Sequence, residues 1–187
     1  MMITKENEDF NFKFIEFCEI EDIHDYVKKF SNEWYYNTSR QEDYDPHKFT
    51  TSYFIYEHSN DWIPGEPYNT KLVCEDLEFV EMISPIIKKL ETIYDGKVGK
   101  TLFINLAAGK EVIEHKDAGD YLGMARRIHI PIITNPDVDF MINNETINMK
   151  YGECWEINNN RNHYVNNRST QDRVHLLIDI LPNRFFL

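Results

Sequence analysis

The sequence predicts a mainly β fold, two sheets packed as a jelly roll with helices on one outer face. From Thr101 onward the chain breaks into short apolar runs separated by Gly, Pro, Asn and Asp. Those runs carry turn residues at the spacing expected of a sandwich or barrel, and their number fits a double-sheet jelly roll. The helical periodicities fall in the first hundred residues, so helices come first and are left to cover one outer face of the sheets.

Phe10, Phe12 and Phe14 alternate with polar residues and predict a strand. Ile20, Ile23, Val27, Phe30 and Trp34 recur at helical spacing, which predicts a helix over 20–34. Tyr53 to Tyr56 reads as a short strand, and 59–70, with two prolines and a glycine, as a loop. Leu77, Val80, Ile83, Ile86, Ile87, Leu90 and Ile93 predict a second helix over 77–94. Pro85 is expected to kink or restart it, and Gly96 to cap its C-terminus. Strands are then expected near 101–106, 111–115, 124–133, 137–142, 145–149, 153–157, 163–166 and 172–181. Residues 1–187 are read as a single domain, with a mixed helix and strand part over 1–100 and the jelly-roll core over 101–182.

Composition excludes several functions. The formal net charge is −12, and no Lys/Arg run exceeds two residues. Nucleic acid is therefore not an expected partner, because a phosphate backbone demands a cationic face. Cys18, Cys74 and Cys154 are odd in number and widely spaced, which suggests buried thiols rather than a disulfide framework or a zinc site. No apolar segment approaches the ~18 residues of a membrane span and no secretory leader is evident, so the expectation is a cytoplasmic protein with no membrane partner.

The chemistry concentrates in the strand-rich half. His115 and Asp117 form His-x-Asp, and on a strand residues two apart share a face. His163 lies 46 residues after Asp117, far enough for several strands to leave and return. Two histidines and one carboxylate make the facial triad of non-haem iron(II) oxygenases. Taken alone, the pattern is short enough to arise by chance among seven histidines and 32 acidic residues. Arg173 opens the apolar strand Val174–Ile180, sharing a face with His175 and Leu177. Its planar fork suits a carboxylate ligand, although solvent, Asp172 or Asp179 are equally open partners at this point. In ARRIHIPI (125–132), Arg127 and His129 share the face opposite Ile128, Ile130 and Ile132. That face either lines a cavity or is the wet side of an antiparallel strand.

GKEVIEHKD, RRIHIPIITNPDV, GECWEINNNRNHYVNN and DRVHLLIDILP, in this order and spacing, together resemble the aspartyl/asparaginyl β-hydroxylase family of 2-oxoglutarate oxygenases, over roughly residues 101–182. The resemblance implies a double-stranded β-helix of cupin-like form and dependence on Fe(II), 2-oxoglutarate and O2. His115 and His163 match the iron-binding histidines, and Arg173 the arginine for the distal carboxylate of 2-oxoglutarate. Arg127 and His129 match a further pair that contacts the co-substrate. The animal enzymes carry glycine where this chain has Asp117, whereas bacterial members carry the full triad. Ile104 stands near a co-substrate-contacting serine of the animal enzymes, so that contact is expected to be absent or replaced. The implied reaction hydroxylates an unactivated carbon of an amino acid or polypeptide residue of Asp, Asn or Pro type, releasing succinate and CO2.

Trp62 and Tyr68 in the loop 59–70 are the candidate substrate rim, together with the Asn-rich turn 158–162. The alternative reading is a non-oxygenase cupin-like metal protein, an isomerase or sensor. It would keep His115, Asp117 and His163 but have no need of Arg173.

Overall fold

A computed structural model describes residues 8–30, 41–42, 45–58 and 69–185. Two antiparallel sheets face one another. Their strands are β1 (Phe12–Phe17), β2 (Thr50–His58), β3 (Thr70–Leu72), β4 (Gly96–Leu106), β5 (Glu111–His115), β6 (Arg126–Ile133), β7 (Val138–Ile142), β8 (Glu145–Ile147), β9 (Glu153–Ile157), β10 (His163–Asn167) and β11 (Arg173–Pro182). The larger sheet runs β1-β9-β6-β11-β4-β2-β3 and the smaller β5-β10-β7-β8. From β4 onward the chain passes back and forth between the sheets, with β7 and β8 both in the smaller one, which is the winding of a double-stranded β-helix.

The helices pack on the outside of the larger sheet. In α1 (Glu21–Phe30), Ile23 and Val27 face inward, with acids in the first turn and lysines in the last, as the helix dipole favours. In α2 (Leu77–Tyr94), Phe79, Ile83, Ile87 and Leu90 form the buried stripe. These meet Ile128, Ile130 and Ile132 of β6 and Val174, Leu176, Ile178 and Ile180 of β11 in one continuous core. A second core, including Leu106, Val112, Phe140 and Val165, fills the space between the sheets. Strand β11 is central in the larger sheet, with helices on one side and the smaller sheet on the other, and every residue in it is buried. That position decides the chemistry, because any polar side chain on its inner face is removed from water.

The expected strands are found with small shifts of their ends. β4 begins at Gly96 rather than 101, and residues 120–124 form a one-turn helix, α3 (Asp120–Met124), before β6 starts at Arg126. Helix α1 is seen over Glu21–Phe30, while Trp34 lies outside the described residues. Helix α2 does not restart at Pro85 but runs through it as one element. Its N-cap is Asp76, whose carboxylate accepts from the Phe79 N–H at 3.1 Å. Its C-cap is Asp95 in the left-handed region (φ 44°), not Gly96. Gly96 is glycine for another reason: a Cβ there would sit 2.5 Å from the Leu181 carbonyl oxygen, where β4 and β11 touch.

Phe79 is fully buried, stacked on Tyr26 at 4.1 Å and on Phe103 at 5.1 Å between ring centres. Phe79→Ala is expected to cost about 3–5 kcal/mol of stability, read as a lower urea midpoint with an unchanged slope. A loss below about 1 kcal/mol would mean that the helices do not seal the sheet.

Candidate active site

His115 ends β5 and His163 begins β10, and the two stand directly opposite in the antiparallel register. Their ring centres are 4.3 Å apart. Strand β5 ends at His115, so Asp117 shares their face not through strand parity but because its N–H donates to the Asn159 carbonyl at 3.0 Å. His115 Nε2 lies 3.7 Å from Asp117 Oδ1, and one ligand atom from each of His115, Asp117 and His163 falls within 4.8 Å of the others.

The backbone selects the tautomer of both histidines. His115 Nδ1 lies 2.8 Å from the Ile113 carbonyl and His163 Nδ1 2.9 Å from the Arg161 carbonyl. A carbonyl only accepts, so each Nδ1 carries the proton and each Nε2 presents a lone pair inward. Burial holds His163 below the ordinary imidazole value, against the opposing pull of Asp117. Burial pushes the Asp117 carboxyl up, but Arg127, His163 and His115 outweigh it and hold the group well below the usual carboxylate range. The result is two imidazole lone pairs and an ionised carboxylate converging on one point. That donor set suits a divalent iron-type cation with open positions.

Arg127 is the strut behind Asp117. Its Nη1 donates to Asp117 Oδ2 at 2.5 Å, while Nε and Nη2 grip Asp179 at 2.9 and 2.8 Å. Tyr121 Oη donates to Asp179 Oδ2 at 3.1 Å and accepts the Lys100 N–H at 2.7 Å. A Cβ on Gly99 would stand 2.5 Å from that Tyr121 oxygen, so the chain of contacts depends on a missing side chain.

Arg173 is in the opposite condition. It is 2% exposed, and no carboxylate lies within ion-pair distance of it among the described residues. Burial alone pulls its pKa down to about 9. The two carboxylates that the sequence offered it are committed elsewhere, Asp179 to Arg127 and Asp172 to Asn105 and the Ala108 N–H, and Asp117 is likewise held by Arg127. Arg173 Nε has no hydrogen-bond partner, and neither has the buried His129 Nδ1. Together with His115, Asp117, Arg127 and His163, these two side chains line one cavity between the sheets, walled by Ile104, Val112, Phe140 and Leu177.

All six residues singled out for metal and co-substrate in the sequence thus surround one cavity. Trp62 and Tyr68 lie outside the described residues. In the Asn-rich turn, Asn158 and Asn159 are buried braces rather than a rim: their amides donate to the Phe10 and Leu122 carbonyls at 3.1 Å. Sequence reasoning missed His47, whose ring meets His115 edge-on at 5.5 Å and lines the cavity from a 3-10 turn at Asp45–His47. Nothing local to that turn signals its partner. It also missed Asp179, whose shared strand face with Arg173 was readable but whose pairing with Arg127 was not.

A family model for aspartyl/asparaginyl β-hydroxylases matches residues 21–182. The chain belongs to the aspartyl/asparaginyl β-hydroxylase family. No curated protein matches the sequence. Among solved structures, the viral collagen prolyl hydroxylase of Paramecium bursaria Chlorella virus-1, in complex with 2-oxoglutarate, is similar with a TM-score of 0.56 and 10% identity, over 94% of this chain and 98% of that one. An oxidoreductase of the 2OG-Fe(II) oxygenase family from Burkholderia pseudomallei is similar with a TM-score of 0.54 and 10% identity, over 71% and 67%. These two likenesses support the fold assignment. AerE from Microcystis aeruginosa shares 20% identity with a TM-score of 0.36 over 44% of this chain, which spans only 35% of AerE.

Burial, then Arg173 and Arg127, hold His129 well below the ordinary imidazole value, and burial, then Arg173 and His129, do the same to His175. Both stay neutral in the folded protein while the unfolded chain takes up protons below about pH 6.5. The unfolded state then binds more protons, so stability is lost as pH falls from about 6.5, at up to ~1.4 kcal/mol per pH unit for each histidine. Urea unfolding at pH 7.5 and 5.5 is expected to show this loss, and His129→Asn to reduce it. An equal loss in wild type and variant would contradict the assignment.

Proposed function

We propose that this hydroxylase uses Fe(II) held by His115, Asp117 and His163, and takes 2-oxoglutarate with its distal carboxylate on Arg173. The observation that carries the reading is the pairing of a metal-competent triad with a buried arginine that has no carboxylate partner among the described residues, in the same cavity. A guanidinium without a counter-charge is costly to bury, and a carboxylate ligand would remove that cost. The orphaned Arg173 Nε supplies a donor for it. His129, two residues from Arg127 on β6, offers its unpaired Nδ1 to the same ligand. Arg127 has committed three of its donors to Asp117 and Asp179, so its first task is to aim the Asp117 carboxylate.

Charge balance supports binding both partners together. The carboxylates of Asp117 and Asp179 equal in number the guanidiniums of Arg127 and Arg173, although both carboxylates pair with Arg127. A divalent cation adds two positive charges and 2-oxoglutarate two negative ones, so binding both leaves the charge balance of the cavity unchanged, whereas either one alone upsets it. When bound, Fe(II) would activate O2 at the expense of 2-oxoglutarate, giving succinate, CO2 and a hydroxylated product. The chain's own residues hold the donor atoms, fix their protonation and keep water out with Ile104, Val112, Phe140 and Leu177. The substrate is an amino acid, or a residue in a polypeptide, of Asp, Asn or Pro type, as family membership suggests. His47, beside His115, is placed to meet it.

Anaerobic titration of the iron(II)-loaded protein with 2-oxoglutarate, followed by the visible charge-transfer band of the chelate, tests this reading. Wild type is expected to show the band. Arg173→Ala is expected to need roughly 100-fold more 2-oxoglutarate, as befits loss of a buried charged partner. Asp117→Ala is expected to bind iron at least about 10-fold more weakly and to lose turnover. Bound iron without a band in wild type would sink the proposal, as would undiminished turnover in Asp117→Ala.

A further inference from the structure

His175 has no part in the scheme above, yet it makes the closest contact to the arginine on which that scheme turns. Its Nδ1 lies 2.7 Å from Arg173 Nη2. The two residues are two apart on β11 and so share its inner face. His175 is 1% exposed. Its cross-strand neighbours, Ile104 on β4 and Pro131 on β6, bring no polar side chain to the same place. Arg173 itself faces Leu106. Among these flanking residues, only His175 can hold the guanidinium's orientation.

We propose that His175 is a positioning residue for the co-substrate site: a neutral acceptor that aims the Arg173 fork without cancelling its charge. This rests on the reading of Arg173 as the carboxylate anchor. Guanidinium N–H groups only donate, so the 2.7 Å contact requires a lone pair on His175 Nδ1 and places the imidazole proton on Nε2. Burial beside Arg173 and His129 favours the same neutral form. An arginine loses much rotamer freedom when fixed, and a site that fixes it beforehand removes that cost from ligand binding. An aspartate or glutamate at the same position would also hold the fork, but it would form an ion pair and leave no net charge for the ligand. A neutral acceptor separates the two tasks. His175 takes one of the two Nη2 hydrogens, and the unpartnered Nε together with the remaining Nη hydrogens stays available for a carboxylate.

Three substitutions separate this role from packing. Asparagine can present its amide oxygen near the place of Nδ1, leucine fills similar volume without an acceptor, and aspartate adds the neutralising charge. The iron(II)-loaded protein is titrated anaerobically with 2-oxoglutarate for each variant, and iron affinity is measured separately. His175→Leu is expected to weaken 2-oxoglutarate binding roughly 10- to 100-fold, the size of a lost hydrogen bond to a charged group, with iron affinity unchanged. In turnover the KM for 2-oxoglutarate rises while kcat stays within about twofold. His175→Asn restores binding to within a few-fold of wild type. His175→Asp loses 2-oxoglutarate binding as fully as Arg173→Ala, yet gains thermal stability without co-substrate.

Equal 2-oxoglutarate affinity in wild type and His175→Leu would overturn the proposal. If the leucine variant does not fold, asparagine and aspartate still decide it, because equal affinity in those two overturns it as well. Wild type serves as the control for the underlying reading: failure to bind 2-oxoglutarate there would refute the Arg173 assignment itself, whereas binding in wild type with no difference among variants would refute only the role of His175.

Discussion

A guanidinium buried with no carboxylate paired to it among the described residues is the constraint around which the inner face of this jelly roll is arranged. Arg173 stands on the central strand of the larger sheet, with helices behind it and the smaller sheet in front. The strand's position leaves it no route to water, and burial alone lowers its pKa to about 9. Arg127, two strand positions before His129 on the neighbouring strand, shows what a structural buried arginine looks like. It holds two carboxylates through three donors, which outweigh the cost of burial and drive its pKa further up. On the proposed reading the contrast is functional: one arginine is spent on architecture, and the other is kept for a carboxylate ligand.

The triad proposed to hold the metal is assembled by main-chain geometry as much as by side chains. Register places His115 opposite His163, carbonyls of Ile113 and Arg161 fix both tautomers, and the Asn159 carbonyl pins Asp117 just past the end of β5. Behind the carboxylate, Arg127, Asp179 and Tyr121 form a hydrogen-bonded line back to the Lys100 N–H on β4. Outer contacts of this kind orient ligands and set their basicity. The same line explains why Gly99 has no room for a side chain.

Much of this was legible in the sequence, for reasons that are themselves physical. Alternation with period two exposed β6 and β11, and the same parity put Arg127, His129, Arg173 and His175 on inner faces, away from the apolar residues that meet the helices. Legibility ended where partners lie far apart in the chain. Asp179 reads as a neighbour of Arg173 along the strand, but the cross-strand pairing of β11 with β6 gives it to Arg127. His47 reaches the site from a turn in the first hundred residues, where no periodicity points to it. Pattern also misread two local details: the left-handed cap went to Asp95 because Gly96 was needed for close contact with β11, and Asp117 reached the face of His115 and His163 by a loop hydrogen bond rather than by strand parity.

The measurement that reaches the central claim most directly is the thermal midpoint of wild type and Arg173→Met, each metal-loaded under anaerobic conditions, with and without 2-oxoglutarate. Methionine keeps much of the side-chain volume and removes the uncompensated charge. The account predicts that the variant is the more stable protein without co-substrate, by about 1–4 kcal/mol, and that 2-oxoglutarate raises the midpoint of wild type only. A variant less stable than wild type, or one whose midpoint still rises with 2-oxoglutarate, would contradict it.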